Sequence, residues 1–122
     1  MPTILIADDE PDILLLLSFI LRQQKFEVNA ATSKEEFEKQ FELSKPDLII
    51  LDIQLGIHDG REICSKIKNF NADLPVILMS ARPDLLRNGG ACKADAVIEK
   101  PFAAKQLINT IKELLSFNKL IL

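Results

Sequence analysis

Thr3-Ile4-Leu5-Ile6-Ala7-Asp8-Asp9-Glu10-Pro11 is the stretch on which the fold turns. A short apolar run, suited to a strand buried on both faces, leads directly into three acids. A proline follows, and proline is at home in the first turn of a helix. Strand, charge and helix start therefore lie within a few residues of one another.

Three more near-continuous apolar runs repeat this pattern: Asp47–Leu51, Leu74–Met79 and Ala96–Ile98. Each predicts a strand buried on both faces of a parallel sheet. Phe26–Ala30 is weaker. Phe26, Val28 and Ala30 alternate with Glu27 and Asn29, which places this fifth strand at or near an edge with one solvated face. Helical stretches lie between the runs. Asp9–Gln24 opens with acids and Pro11. Ser33-Lys34-Glu35-Glu36 has the form of a capping box and opens a helix to about Leu43, with Pro46 closing the segment. Asp59–Phe70 carries Ile63, Ile67 and Phe70 at helical spacing. Ala103–Phe117 aligns Leu107, Ile111, Leu114 and Leu115. Pro83–Ala91 predicts a short helix cut by Asn88-Gly89-Gly90. Strands alternating with helices of this length imply right-handed crossovers. The expected fold class is α/β: a doubly wound, five-stranded parallel sheet with helices on both faces, one domain over residues 1–122 with no output domain.

The bulk properties agree with one soluble domain. The chain has 122 residues, 48% hydrophobic and 27% charged, a balance suited to a packed core rather than disorder. A formal net charge of −3 gives no basis for direct nucleic-acid binding. The two cysteines, Cys64 and Cys92, and one histidine, His58, are too few for a zinc site and predict buried, inert thiols and a loop histidine. No apolar run is long enough to span a bilayer, and the N-terminus lacks the basic region of a signal peptide. No membrane association, a cytoplasmic location and an absence of disulfides are expected.

In an open α/β sheet, ligands bind outside the carboxyl ends of the strands. The predicted strands end at Asp8-Asp9-Glu10, Asp52, Ser80 and Lys100-Pro101. Crowded carboxylates repel, and a hard divalent cation such as Mg²⁺ resolves the conflict by taking oxygen ligands. A carboxylate can also attack phosphorus. Mg²⁺, Lys100 and the Ser80 hydroxyl would then meet the charge on the transferring group. Taken singly, each residue has a plainer reading. The acids suit a helix N-terminus, Asp52 a helix cap, Ser80 a turn and Lys100 a solvated charge. Their gathering at four strand ends carries the argument.

Over nearly its whole length the chain resembles the receiver domain of two-component response regulators. The resemblance rests on Ile4-Leu5-Ile6-Ala7-Asp8-Asp9-Glu10-Pro11, Asp47-Leu48-Ile49-Ile50-Leu51-Asp52-Ile53, Asp59-Gly60, Met79-Ser80-Ala81 and Glu99-Lys100-Pro101-Phe102. It implies strand order 2-1-3-4-5, with Asp52 as phosphoacceptor. Asp9 would bind Mg²⁺ directly, Asp8 through water, and Gln54 by its backbone carbonyl. Ser80 would bond a phosphoryl oxygen and Lys100 would pair with the phosphate. The implied donor is a sensor histidine kinase or histidine phosphotransfer protein. Phosphorylation and dephosphorylation would be self-catalysed, making a switch rather than a turnover enzyme, and the target would be an unidentified downstream protein. Gln54 and Arg82 stand where the family tunes signal lifetime. A homodimer through the face of the fourth helix, fifth strand and last helix is a further implication.

Departures are informative. Val97 stands at a switch position that is usually aromatic, Leu55-Gly56-Ile57 replaces the usual Met-Pro-Gly, Lys93 replaces a usual Gly, and the fourth helix is short. In the first helix, Ile13, Leu16, Leu17, Ile20 and Leu21 form one arc at 100° per residue, with Ser18 and Arg22 opposite. Leu15 and Phe19 form a pair on the outer flank. They pack beneath the last helix, or Leu15 joins Pro101 and Phe102 in a kinase-docking patch. Three other classes stay open. A haloacid-dehalogenase phosphatase needs an Asp where Gln54 stands. A flavin-binding flavodoxin-like domain must tolerate Asp8-Asp9 beside a phosphate. A constitutive docking domain, in which phosphorylation matters little, is kept open by Val97.

Overall fold

Nearly every residue of the central strands faces a hydrophobic layer, successive positions along each strand pointing to opposite sides. The computed structural model describes residues 1–82, 84–85 and 92–121. Its strands are β1 (Thr3–Ala7), β2 (Glu27–Ala31), β3 (Leu48–Asp52), β6 (Val76–Ser80) and β7 (Ala96–Glu99), and a small hairpin supplies β4 (Gln54–Leu55) and β5 (His58–Asp59). The helices are α1 (Pro11–Gln23), α2 (Lys34–Ser44), α3 (Gly60–Phe70) and α4 (Ala104–Ile121). The five long strands are parallel in the order β2-β1-β3-β6-β7, which is the expected 2-1-3-4-5 order when the hairpin is set aside. As its alternation predicts, β2 lies at an edge.

The two cores are separated by the sheet. Leu5, Ala7, Ile49, Leu51, Val76 and Leu78 pack with Phe37 of α2 and Ile63, Cys64 and Ile67 of α3. Ile4, Ile6, Leu48, Ile50, Ile77 and Met79 pack with Leu14, Leu17 and Leu21 of α1 and Leu107 and Ile111 of α4. Residues adjacent in sequence thus belong to different cores, the expected outcome when a strand is covered on both faces. Truncating any one of these Ile, Leu or Met side chains to alanine carries a cost of roughly 2–5 kcal/mol.

Local signals behave as their chemistry requires. Ser33 caps α2, its Oγ accepting from the Glu36 N–H at 3.2 Å. Pro11 occupies the first turn of α1. Lys25, Lys45 and Lys93 all adopt positive φ, so Lys93 keeps the left-handed backbone for which glycine is better suited. Cys64 and Cys92 are buried and are not joined in a disulfide. Cys64 Sγ lies 3.4 Å from the Cys92 carbonyl, and burial pushes its thiol up to about 12. Among the described residues no helix is long and apolar enough to cross a membrane.

Several expectations are corrected. Strand bounds shift toward the carboxyl end: β3 includes Asp52 and excludes Asp47, whose carboxylate instead accepts from the Thr3 N–H at 2.8 Å. The last helix runs on to Ile121. The inward face of α1 is Leu14, Leu17, Ser18 and Leu21, so Ser18 is buried rather than opposite the core, and Leu16 is half exposed. Leu15 and Phe19 are 73% and 61% exposed and do not pack beneath the last helix. Five consecutive apolar residues, Ile13–Leu17, give no phase from which to place the inward stripe. His58 lies in the hairpin, paired with Leu55. Of the predicted helix at 83–91, Asp84 and Leu85 are helical and the rest lies outside the described residues.

α3 begins against the end of β3. Gly60 donates its N–H to the Ile53 carbonyl, and a Cβ there would collide with the Asp52 carbonyl oxygen and come within 2.9 Å of Ile53 Cα. Both opposing groups are backbone and cannot rotate away. Gly60→Ala should therefore lower the free energy of unfolding by about 2 kcal/mol or more in urea titration. An unchanged midpoint and slope would show that the two segments can separate freely.

Candidate functional site

Four parallel strands deliver their last residues to one end of the sheet, and registration sets which side chains meet. β1 ends beside β3, β3 pairs Asp52 with Met79 of β6, and β6 pairs Ser80 with Glu99 of β7. Asp8, Asp52, Ser80 and Lys100 consequently stand at the mouths of neighbouring strands. Asp8 is fully buried, and Asp52 and Ser80 are nearly so.

Lys100 joins the acids. Its Nζ lies 2.6 Å from Asp8 Oδ2 and 2.6 Å from Asp52 Oδ2, with Glu10 Oε1 at 3.9 Å. The remaining carboxylate oxygens are used locally. Asp8 Oδ1 accepts from the Glu10 N–H at 2.9 Å and Asp52 Oδ1 from the Gln54 N–H at 2.9 Å. Each acid thus closes a turn over the residues that follow it, fixing its own rotamer. Asp9 is exposed and reaches outward, its Oδ2 accepting from the Gly56 N–H at 3.2 Å. Ser80 Oγ accepts from the Arg82 N–H at 3.0 Å, leaving its hydroxyl proton free to donate, and the Ser80 carbonyl accepts from the Lys100 N–H at 2.9 Å. The Lys100–Pro101 peptide is cis.

The electrostatics follow from this crowding. Burial pushes the Asp8 carboxyl up to about 6, with Asp52 adding repulsion, and the bonds from Lys100 and the Glu10 N–H recover only part of the loss. Burial works against the Lys100 ammonium, but its hydrogen bonds to Asp52 and Asp8 outweigh that cost and hold its pKa above the usual lysine value. The pocket is over-supplied with negative charge. Asp8, Asp9, Glu10 and Asp52 each bring a carboxylate oxygen within 4.8 Å of the others. Hard oxygen donors at such spacing, one of them reluctant to ionise, form a donor set suited to a small divalent cation.

Other expected residues divide clearly. Gln54 is exposed and tied to Asp52 through its backbone. Arg82 turns its guanidinium to Asp84 at 3.0 Å. Leu15 and Pro101 are exposed, Phe102 packs partly against the core, and Val97 is 46% exposed on β7. Sequence reasoning passed over two supports: the Gly56 N–H that steadies Asp9, and Gly60 behind the Asp52 backbone. Both stand in quoted motifs, Leu55-Gly56-Ile57 and Asp59-Gly60, from which no supporting role was read. Glu10, noted as one of the converging acids but given no ligand role, also belongs to the cluster.

Comparison with known proteins gives one answer. The family model described as "Response regulator receiver domain" matches residues 4–112. The alkaline phosphatase synthesis transcriptional regulatory protein PhoP of Bacillus subtilis is 32% identical over 92% of this chain and 48% of its own length. The transcriptional regulatory protein PrrA of Mycobacterium tuberculosis is 33% identical over 93% of this chain and 50% of its own. The chain spans about half the length of these curated relatives. A receiver domain protein from Clostridium thermocellum superposes with a TM-score of 0.90 over all of both chains at 28% identity. Response regulator protein TrrA of Thermotoga maritima, solved in complex with Mg²⁺–BeF, superposes with a TM-score of 0.86 at 32% identity, over 93% of this chain and 99% of that one. Family match, strand order and strand-end acids converge, and the chain belongs to the response regulator receiver domains of two-component systems.

Proposed function

We propose that Asp52 is the phosphoacceptor and that this domain is a switch set by its phosphorylation. The carrying observation is the pair of 2.6 Å contacts that bind Lys100 to both Asp8 and Asp52 at the sheet's carboxyl end. Receiver domains are phosphorylated by histidine kinases, and a sensor histidine kinase or a histidine phosphotransfer protein is the donor assigned here. An Asp52 carboxylate oxygen attacks phosphorus, the new O–P bond forms as the donor's N–P bond breaks, and the imidazole leaves with that electron pair. Lys100 offsets charge on the phosphoryl oxygens, and the Ser80 hydroxyl, its lone pair already engaged by Arg82 N–H, donates to one of them. Asp8, Asp9, Asp52 and the Gln54 carbonyl would hold Mg²⁺, which when bound would neutralise further charge in the transferring group. Hydrolysis of the acyl phosphate uses the same residues, with Gln54 and Arg82 bordering the path of the attacking water.

Val97 supports a second reading of the output. Half exposed on β7, an isopropyl group has no ring to swing inward, so readout at this position is muted and docking independent of phosphorylation is favoured.

Incubation with acetyl phosphate and Mg²⁺ should add one phosphoryl mass, absent in Asp52→Asn; labelling of that variant to the same extent would disprove the assignment. Gln54→Ala and Arg82→Ala should alter the decay of the phosphorylated form while Mg²⁺ affinity holds. Leu15→Asp should slow transfer from the protein donor and spare acetyl phosphate, whereas equal losses would point to structural damage.

Metal binding should depend on pH through Asp8. Its folded-state carboxyl titrates near 6, above the usual 3.8, so a proton competes with the cation below that value. Mg²⁺ affinity should fall roughly tenfold from pH 7 to pH 5. The chain has no Trp or Tyr, so calorimetry is the suitable readout. Equal affinity at both pH values would remove Asp8 from the metal site.

A further inference from the structure

Among the described residues, nothing covers the apolar outer face of α1. Leu15 and Phe19 are 73% and 61% exposed, and neither belongs to a core cluster. Leu15, Ser18, Phe19 and Arg22 line a shallow groove that ends at Gln23. Their spacing is i, i+3, i+4, i+7, the four corners of the hole that receives a knob in helix-helix packing. Small, buried Ser18 makes the floor of that hole. Charged residues bracket the apolar centre: exposed Asp12 one turn before Leu15, and exposed Arg22 one turn after Phe19. In register, Asp12 and Arg22 stand equally far from Leu17, as do Leu15 and Phe19.

This pattern is complementary to itself when reversed. In an antiparallel pair related by a two-fold axis at Leu17, Leu15 of each helix meets Phe19 of the other and enters its hole. Asp12 comes level with Arg22 of the second copy at both ends. A parallel pair would set Asp12 against Asp12 and Arg22 against Arg22. An unrelated apolar partner would have no need of oppositely signed ends at matched distances. We infer that the outer face of α1 pairs antiparallel with the same face of a second copy of this chain. One helix face is smaller than a standard interface, so the pair is a weak, concentration-dependent dimer. It occupies the surface that contains Leu15, so pairing and kinase docking through that residue exclude one another. It is also separate from the β7 side, where Val97 lies.

Sedimentation equilibrium from dilute to millimolar protein tests this. Wild type should pass from monomer toward twice the monomer mass. Asp12→Arg and Arg22→Asp, both on exposed positions, should each weaken association at least fivefold, and the double variant should restore it, because only facing charges are rescued by exchange. Phe19→Asp should abolish it, with circular dichroism confirming the fold. A wild-type chain that stays monomeric at millimolar concentration overturns the inference. So does a dimer indifferent to the three charge variants, or one lost on Val97→Asp and kept in Phe19→Asp.

Discussion

Lys100 holds together a region of the molecule that would otherwise repel itself. Two carboxylates, Asp8 and Asp52, sit almost wholly inside the protein, and each gives up one oxygen to the same ammonium. Removing charges from water costs several kcal/mol per ion, and attraction repays this only when geometry is good and the remaining lone pairs are used. Both conditions are met, since each acid's second oxygen accepts a backbone N–H two residues on. The balance is still incomplete. One cation faces two buried acids, with Asp9 and Glu10 at the rim, and Asp8 answers by holding its proton to about pH 6. Four carboxylates left in that imbalance form a donor set that could hold a divalent ion.

The rest of the fold serves this geometry. Parallel registers from β1 through β7 bring residues from four separate parts of the chain to one edge, and side chains packed on both faces keep those registers from slipping. Gly60 then lets α3 start against the backbone of Asp52 itself, so β3 is braced from behind as well as from its sides. Asp9, the most exposed of the three Asp residues, is steadied by the hairpin through Gly56. The site has a buried interior and an exposed rim.

Much of this was legible because it rests on chemistry that leaves a pattern in sequence. Apolar runs that lack alternation announced a sheet covered on both faces, and the polar residues at their ends marked where Asp8, Asp52 and Lys100 come together. Ser33 and Pro11 marked helix starts through the groups they satisfy or omit. What was missed leaves no periodic trace. The hairpin rests on two-residue strands, too short for alternation to register. The burial of Ser18 is invisible because a hydroxyl reads as polar, whereas here a small side chain is what the packing accepts. The five-residue apolar run at Ile13–Leu17 is uninformative for a related reason, since a helix with hydrophobic residues all round has no preferred inward side until neighbours choose one. Gly60 owes its place to contacts with backbone seven and eight positions earlier, which composition cannot express.

The split of adjacent strand residues between two cores has a consequence for how this chain can change over generations. Replacing Ile49 with another aliphatic group disturbs one layer, and the neighbouring side chains can partly accommodate it. Losing a single codon between 48 and 51 is a different kind of lesion. It would swap the layers for every residue beyond the gap and draw Asp52 one step down the strand, away from Lys100. Within these five-residue strands, spelling can drift while length cannot, so small in-frame deletions there should be purged far more strictly than most missense changes.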